Sequence, residues 1–233
     1  MSPKIVDREQ RNRAILTAAF ELFVDKGYHK TTLGDIAKAV GIGQGTLYYY
    51  FPTKDEIFWG VYDLMMSHME EAFRQRLEAV EGPTQQLEEF FKLLFLNFPE
   101  VGVFEPTENE SDIPLQWEQM VGFSHVLMEF WLQAERSGQR DQFFERIGHH
   151  QSSILKNIQT LFAAVDIQVP EGLDHEMMAH LVLALHDGLS IQLRMGVMPK
   201  DTNLLRRILN FFLHQLDLPR STEATTSSTL RET

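Results

Sequence analysis

Apolar residues recur along this chain at three- and four-residue spacing, and it reads as helices nearly throughout. Ile15, Ala19, Leu22 and Phe23 fall on one face of a helix predicted from Asp7 to Lys26 and closed at Gly27. Thr32 can N-cap a second helix, with Asp35 in the reciprocal position and Ile36, Ala37 and Val40 on its apolar side. Gly41 supplies the permissive backbone of a tight turn. Gln44 to Tyr50 then makes about two turns, with Leu47 inward and Gln44, Thr46, Tyr48, Tyr49 and Tyr50 largely outward. Thr53 and Glu56 form a T-x-x-E capping box that opens a long helix running to about Ala79, before Gly82–Pro83 breaks it.

The rest of the chain continues the pattern. Thr84 to Phe98 predicts a helix rich in Leu and Phe, and Pro99 to Pro114 an acidic surface loop. Leu115 to Ser137 is apolar nearly all round, the mark of a buried helix. Asp141 to Val165 is two-faced, with Ile147, Ile154, Leu155, Ile158, Leu161, Phe162 and Val165 on one side. The last two helices are predicted from Asp174 to Gly196 and from Asp201 to Leu218. The residues after Pro219 lack apolar content and read as a flexible tail.

Two short helices about a glycine turn, the second polar and exposed, form a helix-turn-helix, whose second helix enters the DNA major groove. The string Thr31–Thr32, Asp35–Ala37, GIGQGTLYYYF and Lys54, behind the Asp7–Lys26 helix, resembles the DNA-binding domain of the TetR family of one-component transcriptional regulators. The resemblance covers roughly a quarter of the chain at motif level. It implies an all-α fold, with an N-terminal three-helix helix-turn-helix domain (residues 1–53), a larger helical ligand-binding and dimerisation domain (54–218) and the tail (219–233). It also implies a homodimer that binds a palindromic double-stranded operator, most commonly as a repressor, and that releases it when a small molecule binds.

Charge divides along the same line. The formal net charge is −12, yet residues 1–58 hold eight Lys/Arg against seven Asp/Glu, so the acidity belongs to the remainder. The absence of cysteine excludes disulfides and thiolate metal sites. With no run of about twenty apolar residues and no signal-peptide pattern, a cytoplasmic protein away from membranes is expected.

Each position of the motif suggests a role. Thr32 and the amides after it suit a phosphate oxygen. Gln44 and Thr46 can read base edges, and Gly45 permits close approach to the groove. Tyr48, Tyr49 and Tyr50 carry hydroxyls long enough to reach phosphates. In the family, the positions of Tyr48 and Tyr50 commonly do this, and Lys54 matches a lysine that usually meets the DNA backbone. Gly34 stands where some members of the family carry a base-reading arginine or lysine, and Gly43 where a serine or another capping residue is frequent.

Tyr62, Met66, Trp117, Phe123, Phe130, Trp131 and His150 are candidate lining for an apolar effector, although aromatic and Met side chains also fill plain cores. His150 shares a face with Phe143, Ile147 and Ile154 and would point inward as an isolated polar group, more often a satisfied core histidine than a ligand contact. A strongly anionic ligand is disfavoured where cations are sparse. Leu181, Ala184, Leu185, Gly188 and Leu189, with Leu205, Ile208 and Phe212, form stripes expected at the interface between two subunits, as the resemblance implies, although such stripes also complete the core of one chain.

The pairs Glu145/His149 and His125/Glu129 have metal-compatible spacing but lack a third ligand, so neither a metal nor a cofactor is expected. An enzyme is not expected either: there is no nucleophile motif, phosphate loop or HExxH. A DNA-bound factor acting through protein contact instead of a small ligand is the alternative.

Overall fold

A computed structural model describes residues 8–96, 117–165, 167, 169, 171–199 and 201–215. The predicted acidic loop and tail lie outside these residues, as do the side chains of Trp117, Met120 and Phe212. Nine α-helices, and no strand, occur among the described residues: α1 (Arg8–Lys26), α2 (Leu33–Val40), α3 (Gln44–Tyr50), α4 (Lys54–Glu78), α5 (Pro83–Leu96), α6 (Trp117–Ser137), α7 (Arg140–Val165), α8 (His175–Arg194) and α9 (Thr202–Gln215).

Local chemistry sets the ends of the short helices. At α2 the full capping box forms: Thr32 Oγ1 accepts from the Asp35 N–H (3.1 Å) and Asp35 Oδ2 accepts from the Thr32 N–H (3.0 Å). Gly41 closes α2 at φ 72°, a left-handed conformation that a side chain would strain. At α4 the Thr53 hydroxyl accepts from the Glu56 N–H (3.1 Å), the half of the expected box that forms. α3 begins at Gly43 without any side-chain cap. Its place is instead held by packing, since Leu47 is fully buried.

Two apolar cores result. The first gathers Ile15, Ala19, Phe20 and Phe23 of α1, Ile36 of α2, Leu47 of α3, Ile57, Phe58 and Tyr62 of α4, and Phe123 and Phe130 of α6. It does not stop at residue 53: the helix-turn-helix packs directly on α4 and α6. The second unites Leu87, Phe91 and Phe95 of α5, Ile158 and Phe162 of α7, Val182 and Leu189 of α8, and Leu205 and Leu209 of α9. α4 runs past both, from Phe58 in the first to Phe73 against the second. Burial of each of these large side chains stabilises the fold by about 1.5–3 kcal/mol before chain entropy is counted.

Candidate nucleic-acid interface

The outer face of α3 carries Gln44, Gly45 and Thr46, all exposed, followed by Tyr48 (47% exposed) and Tyr49 (70%). Tyr50 is half-buried, its ring edge-on to Tyr49 at 5.3 Å. Leu47 points the opposite way and is fully buried, so one apolar anchor fixes which side of this seven-residue helix faces outward. Bulky phenols left in water on a helix with so little core contact are the unusual feature here. The Arg8 guanidinium lies 5.8 Å from the Tyr49 ring centre and adds a cation beside this face. Sequence reasoning did not pair Arg8 with Tyr49, because they are far apart along the chain.

Thr32 and Lys54 are already engaged within the fold. The Thr32 hydroxyl both accepts from the Asp35 N–H and donates to Asp35 Oδ2 (2.7 Å). These bonds hold the Asp35 carboxyl below the usual carboxylate range, so an anion occupies the start of α2. A phosphate would therefore meet the remaining amides and not the Thr32 hydroxyl. The Lys54 ammonium donates to the carbonyls of Tyr28 (2.8 Å) and Thr31 (3.0 Å) and lies 4.1 Å from the Tyr28 ring centre. Burial lowers its pKa, while Asp55 opposes that. Two of its three protons are spent inside the fold, which leaves one for a phosphate.

Just past the end of α1 lies a hub that the sequence did not disclose. Tyr28, 1% exposed, donates its hydroxyl to Asp55 on α4 and its backbone N–H to Glu129 Oε2 on α6 (3.0 Å). Burial, then the Asp55 carboxylate, pushes the Tyr28 phenol well above its ordinary range. Its ring meets Phe130 edge-on at 5.1 Å, and Phe130 stacks on Phe58 at 3.9 Å. Tyr28 thus adds hydrogen bonds to the apolar packing that holds the end of α1 on α4 and α6.

The candidate effector residues divide. Phe123 and Phe130, 3% and 4% exposed, are packed ring to ring with Phe58, as core residues are. Tyr62 is buried against Trp59 and His150, and Met66 and Trp131 are half-buried at the edge of the same core. The Trp131 indole N–H is buried without an acceptor among the described residues. His150 has polar partners: its Nε2 lies 3.5 Å from Asp63 and its Nδ1 3.6 Å from Glu70, both on α4. The helical spacing was read correctly, but it could not show which carboxylates the facing helix would present. No cluster of three metal-ligating side chains occurs among the described residues.

The dimer stripe also needs correction. Leu189 (7% exposed) and Leu205 (fully buried) point into the second core, so neither is a surface group. Leu181, at 50%, is exposed together with Ala184, and Gly188, Leu185 and Ile208 are intermediate. A one-residue difference in helical phase separates the two faces, and both are apolar.

A small core-anchored helix, presented outward after a glycine turn, defines a helix-turn-helix protein. Residues 15–59 match the family model described as bacterial regulatory proteins, tetR family. This N-terminal part of the chain carries the DNA-binding domain typical of TetR-family transcriptional regulators. It is 32% identical over 85 residues to the HTH-type transcriptional regulator HbdR of Aromatoleum sp. (strain CIB), covering 36% of each chain. Over 80 residues it is 32% identical to the HTH-type transcriptional activator FasR of Mycolicibacterium smegmatis, covering 34% of this chain and 36% of that one. These matches span about a third of the relatives' length. In structure, the chain resembles a TetR-family regulator from Cytophaga hutchinsonii, with a TM-score of 0.66 at 16% identity over 93% of this chain and all of that one. At that identity the likeness concerns the fold alone.

Proposed function

We propose that this protein is a homodimeric regulator that holds a palindromic operator and releases it when a small, predominantly apolar molecule binds. In this reading residues 1–53 read DNA and 54–218 bind the effector and the second subunit. The observation that carries it is the outward face of α3, where Gln44, Gly45, Thr46, Tyr48 and Tyr49 stand exposed over the single buried anchor Leu47. Gln44 and Thr46 read bases, and Tyr48, Tyr49 and Tyr50 steady the helix on phosphates.

The second subunit docks on the exposed apolar face of α8 and α9. Met177, Leu181, Ala184, Gly188, Ile191 and Met195 follow one another at alternating four- and three-residue steps, a continuous stripe. Met195 is 72% exposed, and Phe211 on α9, at 67%, stands beside Leu204 and Ile208 along an open groove. Ala184 and Gly188 let a facing helix approach closely.

The effector sits among Tyr62, Met66, Trp131 and His150, beside α4. Differential binding of about 1–3 kcal/mol between two positions of α4 is enough to move operator affinity roughly 5- to 150-fold. A test combines light scattering with screening of neutral, cationic and multiply carboxylated compounds for release of bound operator DNA. Dimers released by apolar compounds support the reading. Release only by phosphorylated or multiply carboxylated compounds contradicts it.

A further inference from the structure

A cleft of about 580 Å³ opens where the first turns of α4 meet the end of α6 and the start of α7. That volume suits a small organic molecule. It shares only Phe130 with the effector candidates above. Its walls include the rings of Trp59 and Phe143, and its rim carries Asp55, Glu56 and Glu145 against one cation, Arg146.

Three properties specify the occupant. First, Trp59 is 9% exposed and Phe143 4%, so little apolar surface is left for a neutral molecule to cover. Second, three carboxylates against one guanidinium repel an anion. Third, the Arg146 guanidinium already lies 5.1 Å from the Trp59 ring centre, and among the described residues it makes no ion pair. The chain thus places a planar cation of its own on this aromatic face, the partner the ring's negative face prefers. The three carboxylates do not converge as a metal-binding group, none of which occurs among the described residues, so an organic cation is preferred to a metal ion.

We propose that this cleft is a second binding site, selective for a small organic cation of the amidinium, guanidinium or alkylammonium class. The incoming cation takes the Trp59 face in place of Arg146 and pairs with Glu145 and Glu56. Because Asp55 and Phe130 also belong to the Tyr28 hub, an occupant bridges α7 to the elements that hold the reading helix.

The test uses benzamidine and its neutral counterpart benzamide, followed by the Trp59 indole N–H resonance of the full chain, without DNA. Benzamidine should shift this resonance saturably and benzamide should not. Arg146→Ala, which removes the internal competitor, should tighten benzamidine several-fold, and Glu145→Gln should weaken it several-fold. Both positions are exposed on α7, so the fold should survive. Equal response to benzamide, no response to benzamidine, or an affinity unchanged by Arg146→Ala would overturn the proposal. A failure to bind operator DNA would leave this result standing, since no DNA enters the measurement.

Discussion

Glu129 on α6 accepts the backbone N–H of Tyr28 at 3.0 Å, joining two residues 101 positions apart at the point where α1 ends. The approach depends on Gly27. Its φ of 81° is left-handed, and a Cβ there would stand 3.2 Å from both Glu129 carboxylate oxygens. Glu129→Ala should leave a largely buried amide without a partner and destabilise the protein by about 1–3 kcal/mol. Glu129→Gln, which keeps an acceptor oxygen, should cost less. Denaturant unfolding would check both, and equal costs would show that the carboxamide fails to replace the bond.

The two buried phenols give a pH signature. Burial and the nearby Asp63 and Glu70 carboxylates push Tyr62 up to about 12, and Tyr28 is raised further by burial and Asp55. A raised phenol stabilises the fold fully below its ordinary value near 10, and this contribution is lost as pH rises through the folded value. Stability should therefore decline on the alkaline side. Phenolate absorbance should show Tyr28 and Tyr62 ionising only above the ordinary range, and Tyr62→Phe should leave the change near pH 10 unaltered.

Exposed and buried members of the α8 stripe should respond differently to the same substitution. Leu181→Arg and Ile191→Arg place charge on an exposed face and should yield folded monomers with collapsed operator affinity. Leu189→Arg and Leu205→Arg bury a charge in the second core and should unfold the chain. Circular dichroism with light scattering separates these outcomes. Folded dimer from Leu181→Arg and Ile191→Arg would place the interface elsewhere.

The roles along α3 are separable by sequence dependence. Gln44→Ala and Thr46→Ala should relax preference at particular half-site positions, costing about 1–3 kcal/mol for a good direct contact. Tyr48→Phe removes a neutral hydroxyl, so it should weaken binding evenly across sequences with the salt slope unchanged. Lys54→Met should act first on stability, through the freed Tyr28 and Thr31 carbonyls. Selection of bound sequences by each variant, with affinities over a salt series, reads the first two effects, and denaturant unfolding reads the third.

Local features of this fold were readable from the chain. Thr32, Gly41, Leu47 and Thr53 act within a few residues of themselves, and capping and periodicity describe such effects directly. Contacts across the fold were not. Nothing near Tyr28 announces Glu129, and His150 looked isolated because Asp63 and Glu70 belong to another helix. Leu189 and Leu205 were placed on an interface because a helix apolar on two faces has no sequence signal that ranks one above the other.

The central claim, that α3 reads a twofold DNA site, is tested most directly by selecting bound sequences from random duplex DNA with the full-length protein. The account predicts an inverted repeat whose half-site centres lie about 34–36 Å apart, or a multiple of that spacing, with enrichment lost in Gln44→Ala at defined positions. A selected pool without a common motif, or one carrying a single unpaired half-site, would contradict it.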